Sequence, residues 1–117
     1  MSRQYIKAIL RGESFALPLE KVAAVVKAGE REAAEVPFAP HGVCGLIFYN
    51  GEAIILMDAF GECARPARLA IVYKSGERRA ACTADSVEGF ISITDEEAEE
   101  MRAKGAANDK EPDMLRL

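Results

Sequence analysis

The chain is poor in the residues on which most catalytic and metal chemistry depends. Of its 117 residues, one is histidine and three are cysteine. A single imidazole excludes a two-histidine metal site and leaves one candidate base, His41, for any serine–histidine–aspartate set. His41 lies in Pro40-His41-Gly42, a loop setting, and reads as a solvated or structural side chain. Cys44, Cys63 and Cys82 are odd in number, widely spaced and without a Cys-x-x-Cys. That pattern predicts reduced thiols in a cytoplasmic protein rather than a disulfide framework. Cys44 is near His41 in sequence, but no nucleophile motif surrounds the pair, and Cys82 lies in an apolar stretch that reads as core.

Long apolar runs are missing too. Nothing approaches the ~20 residues needed to span a bilayer, and the start, Met-Ser-Arg-Gln-Tyr-Ile-Lys, carries no signal-peptide pattern. The expectation is a cytoplasmic chain without direct membrane insertion. There is no excess of basic charge: 15 Lys and Arg against 19 Asp and Glu give a net charge of −4, which argues against a nucleic-acid partner. Gly42, Gly45 and Gly51 do not make a phosphate-binding loop. The acidic run around Asp95–Glu100 lacks calcium-loop spacing and reads as a solvated helix face. No catalytic, cofactor-binding or metal residue is predicted.

What the chain does have is strands and turns. Leu46–Tyr49 and Ala53–Met57 flank Asn50-Gly51, the strongest short signal for a two-residue hairpin, because both central residues must take positive φ. Neither arm alternates cleanly, so this hairpin is expected at the core with both faces covered. Further strands are expected at Tyr5–Arg11, Ser14–Leu17, Val22–Lys27, Arg68–Lys74, Arg78–Ala84 and Phe90–Ile93, with one helical turn after Pro18 and a bend or bulge at Asp85–Gly89. Asp58 and Asp85 are candidate acids or bases, but the preferred reading makes each a hydrogen-bond acceptor for a nearby turn. Thr94-Asp95-Glu96-Glu97 is a capping-box signature for a helix reaching about Lys104. The apolar end Met114–Leu117 needs a partner surface. The length suits one domain, with division expected into a β domain at 1–94 and a helix with polar tail at 95–117.

The order of these elements resembles the CheW-like domain of bacterial chemotaxis, over about residues 4 to 94. Tyr5–Val22 is similar to the family's first hairpin, with a Gly-acidic turn leading to a "Leu…Val" segment. Gly45, then Phe48-Tyr49-Asn50-Gly51, then Met57-Asp58-Ala59 follow its glycine, "Asn-Leu-Arg-Gly" and "Val-Asp-Leu". Leu69–Tyr73, Ser75-Gly76 and Ala84-Asp85-Ser86-Val87 look like its last hairpin and Asp-x-Val signature. The resemblance implies a mainly β fold, two small five-stranded SH3-like β-barrels sharing a core, with a short C-terminal helix. It implies a non-enzymatic adaptor, without cofactor, whose partners are the regulatory domain of the histidine kinase CheA and the cytoplasmic tip of a chemoreceptor. By the same resemblance Val22 and Ala24 match a segment near kinase and receptor surfaces, plain core being their alternative. Gly45 and Asn50, with Gly51 beside them, match positions near the receptor groove. The family's turn arginine is Asn50 here, its following proline is Ile55 and its leucine after the aspartate is Ala59. Only Met114–Leu117 stands where the family has a long closing strand, so a truncated strand docks there, or the first barrel is open or completed by another chain. The alternative function is a small-ligand-binding or regulatory β-barrel that has lost the array contacts.

Overall fold

The computed structural model describes residues 1–28, 32–34, 42–62, 68–104 and 114–117, with the backbone alone at 32–34. Its strands are β1 (Ser2–Leu10), β2 (Glu13–Pro18), β3 (Val22–Lys27), β4 (Glu32–Ala34), β5 (Val43–Tyr49), β6 (Glu52–Met57), β7 (Leu69–Ser75), β8 (Arg78–Ala84), β9 (Ser86–Thr94) and β10 (Leu115–Arg116). One α-helix, α1 (Asp95–Ala103), follows β9, and a single 3-10 turn, Leu19–Lys21, follows Pro18. The strands form two sheets, β10-β2-β1-β9 and β3-β7-β8-β6-β5-β4.

The expected two barrels are present as two SH3-like sheets, but the strand count is four and six rather than five and five, and neither sheet closes among the described residues. Two causes are visible. The closing strand β10 pairs over only two residues, Leu115 with Ala16 and Arg116 with Phe15. The second sheet gains β4, which lies outside the sequence expectation.

Local chemistry explains the hairpins. Asn50 and Gly51 take φ of 49° and 76°, the left-handed pair that a two-residue turn requires. Arg11 and Gly12 take almost the same values, 51° and 78°, so β1 and β2 are joined by the same kind of turn. Thr94 accepts the Glu97 amide at 3.1 Å while the Glu97 carboxylate accepts the Thr94 amide at 3.3 Å. The capping box is therefore complete.

The β7–β8 hairpin is the wall shared by two cores. Ile71, Tyr73, Ala80, Cys82 and Ala84 face the first sheet and meet Ile6, Ala8, Leu10, Phe15 and Leu17. Ala70, Val72 and Ala81 face the other way and meet Ile47, Ile54 and Leu56, with Ala24 and Val26 packed against them. Because β3 and β5 contribute to one cluster although three strands separate them, the second sheet must curl around it. A third cluster, on the far side of the first sheet, joins Tyr5, Ala16 and Ile93 to Ala98 of α1 and Leu115 of β10.

Two sequence expectations are corrected. The β5–β6 hairpin is covered on one face only: Ile47, Ile54 and Leu56 are buried, whereas Phe48 and Ile55 on the opposite face are exposed. The first sheet packs against β7 and β8, so the central, doubly covered hairpin is β7–β8. Cys82 is buried as expected, but Cys44 is disulfide-bonded rather than a reduced thiol. The terminal segment does dock. Met114 is fully buried in the core between the sheets, and Leu115 is buried in the third cluster.

Candidate functional site

Asp58, at the end of β6, is 1% exposed. Its Oδ1 accepts from Arg11 Nη1 at 2.7 Å and its Oδ2 from Arg11 Nη2 at 2.8 Å, a bidentate pair across the two halves of the molecule. Oδ2 also accepts from the amides of Phe60 and Glu62, at 2.9 and 3.0 Å. Burial pushes this carboxyl up, but the Arg11 guanidinium and the two amides outweigh burial and hold it at about 2. A carboxyl held that low has no proton to donate near neutral pH, so acid catalysis is the wrong role for it. The acceptor reading of Asp58 holds, and Asp85 behaves likewise: its Oδ2 accepts the Arg11 amide at 2.9 Å. The two aspartates fix the positive-φ Arg11 from both ends, and the β1–β2 turn is thereby clasped to the other sheet.

Beside this clasp lies a groove of about 540 Å³ between the edges of the sheets. Ile6, Val87 and Phe90 come from the first sheet, Val25 and Leu69 from the second, and Arg68, Asp85 and Ser86 complete the lining. Phe90 is 64% exposed and Val25 41%. The surface is therefore apolar and open, with one charge of each sign at its border. It suits an apolar face of a partner segment, such as one side of an amphipathic helix.

The residues singled out from sequence fall elsewhere. Val22 is half-buried against the core between the sheets, and Ala24 packs into the second core. Gly45 is buried opposite Leu56 at a register shift in β5. Asn50 and Gly51 are exposed at the hairpin tip. A pocket lined by Glu52, Lys74 and Gly76 places this tip beside the β7–β8 turn, at the end of β7 opposite the groove. Gly45, Asn50 and Gly51 thus share one hairpin, Val22 and Ala24 share β3, and the two sets do not converge on one surface. His41 and Cys63 lie outside the described residues.

Sequence reasoning missed Val25, Phe90 and Arg11. The first two had a readable signal. Val25 is two residues before Lys27, and Phe90 stands two after Glu88 and two before Ser92. Strand alternation therefore places both on faces marked as solvent-exposed by polar neighbours. Arg11 had none, because its partner is 47 residues away.

The family model of the CheW-like domain matches residues 4–112. Among solved structures, the crystal structure of the scaffolding protein TtCheW from Thermoanaerobacter tengcongensis superposes with a TM-score of 0.68 at 24% identity, over 82% of this chain and 68% of that one. No curated protein matches this chain. At that identity the structural likeness speaks for the fold.

Proposed function

The chain belongs to the CheW-like domain family, and from that premise we propose that it is a cytoplasmic, non-enzymatic adaptor scaffolding chemoreceptors and the histidine kinase CheA. The observation that carries the reading is the open apolar groove between the sheets, with Val25 and Phe90 at its lips. On this reading it receives the apolar face of a helix from the receptor's cytoplasmic tip. The regulatory domain of the kinase takes a second apolar surface, the outer face of β5–β6 around Phe48 and Ile55, whose exposures are 53% and 47%. Both surfaces lie on rigid strands, which lowers the ordering cost of binding.

Titration with a receptor-tip fragment and, separately, with a CheA regulatory domain tests this. Phe90→Asp and Val25→Asp should each weaken receptor binding by tenfold or more, while Ile55→Asp should weaken kinase binding alone. All three positions are exposed, so the thermal midpoint should move little. If the wild-type chain binds neither partner, the adaptor reading fails.

A further inference from the structure

β9 is nine residues long and is the edge of its sheet, paired on one side with β1 and on the other with nothing among the described residues. Edge strands in natural proteins are usually blunted by lysine, proline or shortness. β9 has no lysine, arginine or proline. Its one charge, Glu88, is at the bulge between Lys7 and Ala8 and is paired inward with Lys7 at 3.7 Å. Beyond the bulge, Gly89–Thr94 is a regular, charge-free ladder segment with Phe90 standing 64% exposed.

We infer that this edge is a self-association surface, where β9 of a second copy adds antiparallel to form one continuous sheet across a two-fold axis. The occupant follows from the strand's own register. Centred on Ser92, an antiparallel copy sets Ser92 opposite Ser92 of the second copy, Ile91 opposite its Ile93, and Phe90 opposite its Thr94. Over residues 90–94 every facing pair is then apolar or hydroxyl-bearing and uncharged, and each strand supplies its outward backbone groups to the other. A two-fold interface needs this self-complementarity. The other end of the strand disfavours a different centre: shifting the axis toward the bulge would bring Gly89 and the irregular Glu88 into the ladder. The proposal does not depend on the adaptor reading, although a dimer built this way would bring Phe90, a lip of the groove, to the two-fold interface.

Sedimentation velocity on the full chain, from low micromolar to near-millimolar concentration, tests the inference. The wild type should show a concentration-dependent dimer. Ser92→Lys sets two ammonium groups against each other at the axis and should weaken association by tenfold or more. Ser92 is exposed and accepts one surface hydrogen bond from Gln4 at 2.6 Å, so the variant should stay folded by circular dichroism. Ser92→Cys should cross-link to a covalent dimer on mild oxidation, whereas Glu88→Cys should not, because residue 88 does not meet its own copy in this register. A monomer at all concentrations overturns the inference. So does a dimer that Ser92→Lys leaves intact, which would place the interface away from β9.

Discussion

Replacing Asp58 with asparagine keeps the shape of the clasp and removes its charge. The guanidinium of Arg11 is only 16% exposed, so it would lose its buried counter-ion with little water to replace it. The new amide also puts an N–H₂ where oxygen now accepts. At the Oδ1 position it faces Arg11 Nη1, and at the Oδ2 position it faces Nη2 and the amides of Phe60 and Glu62. Removing one partner of a buried pair costs about 3–5 kcal/mol. Arg11 retains the Glu62 carboxylate at 3.5 Å, which argues for the lower end, about 3 kcal/mol. Against a total stability of about 6–17 kcal/mol for a chain of this length, that is a large fraction. In urea, at a slope of about 1–1.5 kcal/mol/M, the unfolding midpoint should fall by about 2–3 M with an unchanged slope.

The pH dependence supplies a second, sharper arm. The Asp58 carboxyl falls from 3.8 to about 2 on folding, because its hydrogen bonds outweigh its burial. A folded-state pKa below the unfolded one means that the unfolded chain binds the proton more readily. The stabilisation is therefore fully present above pH 3.8 and is lost as pH falls through 2. At about 1.4 kcal/mol per unit the whole contribution is about 2.5 kcal/mol, of which about 2 is gone by pH 2. The stability gap between wild type and Asp58→Asn should narrow by that amount between pH 6 and pH 2. A gap below ~1 kcal/mol at neutral pH, or one that does not change with pH, would refute the clasp.

Other outcomes follow from particular contacts. Asn50→Arg should lower stability by about 0.5–1 kcal/mol in chemical denaturation, since Asn tolerates the observed φ of 49° better than Arg does. If it also restores or changes partner affinity in the titrations above, the hairpin tip is a contact as well as a turn. Leu115→Ala should cost about 2–4 kcal/mol in the same assay, because the side chain is 1% exposed in the cluster that joins α1 to the first sheet; a loss under ~1 kcal/mol would mean that the terminal strand is not seated. Thr94→Ala should cost about 1 kcal/mol and speed hydrogen exchange in the first turn of α1, because the cap oxygen now accepting the Glu97 amide is removed.

The elements that could be read from sequence are those whose cause is local. Asn50-Gly51, Ser75-Gly76 and the Thr94/Glu97 box each carry their own geometry within four residues, and β3 and β8 run over the spans expected of them. β9 was expected only from Phe90 onward, after a bend or bulge at Asp85–Gly89; the bulge is there, but the strand begins before it, at Ser86. The structure carries the ladder through a bulge, pairing Ala8 with Val87 and Lys7 with Gly89. The faces of β5 and β6 were misread for a different reason. An apolar residue at every position is compatible with two covered faces or one, and only where the opposing sheet packs decides. The groove was half-legible through the polar neighbours of Val25 and Phe90. The clasp was not, since no rule within the chain links Arg11 to Asp58.

The two left-handed turns put this distinction between local and distant causes to the test. At residues 50 and 51 the sequence chooses the pair that local sterics favour. At 11 and 12 it places arginine at φ of 51°, where a long side chain is uncommon, and holds it there with the Asp58 carboxylate and the Asp85 bond to its amide. Arg11→Asn should therefore improve the turn and damage the fold. The local gain is of the order of 0.5–1 kcal/mol. The loss is the bidentate pair, leaving a carboxylate at 1% exposure without its guanidinium, and costs about 3 kcal/mol or somewhat more. The net effect should be a destabilisation of about 2–3 kcal/mol, opposite in sign to what turn statistics alone predict. Paired with Asp58→Asn in a double-mutant cycle, it should show a coupling of about 2 kcal/mol. A stabilised Arg11→Asn variant would mean that the turn governs this corner and the ion pair merely accompanies it.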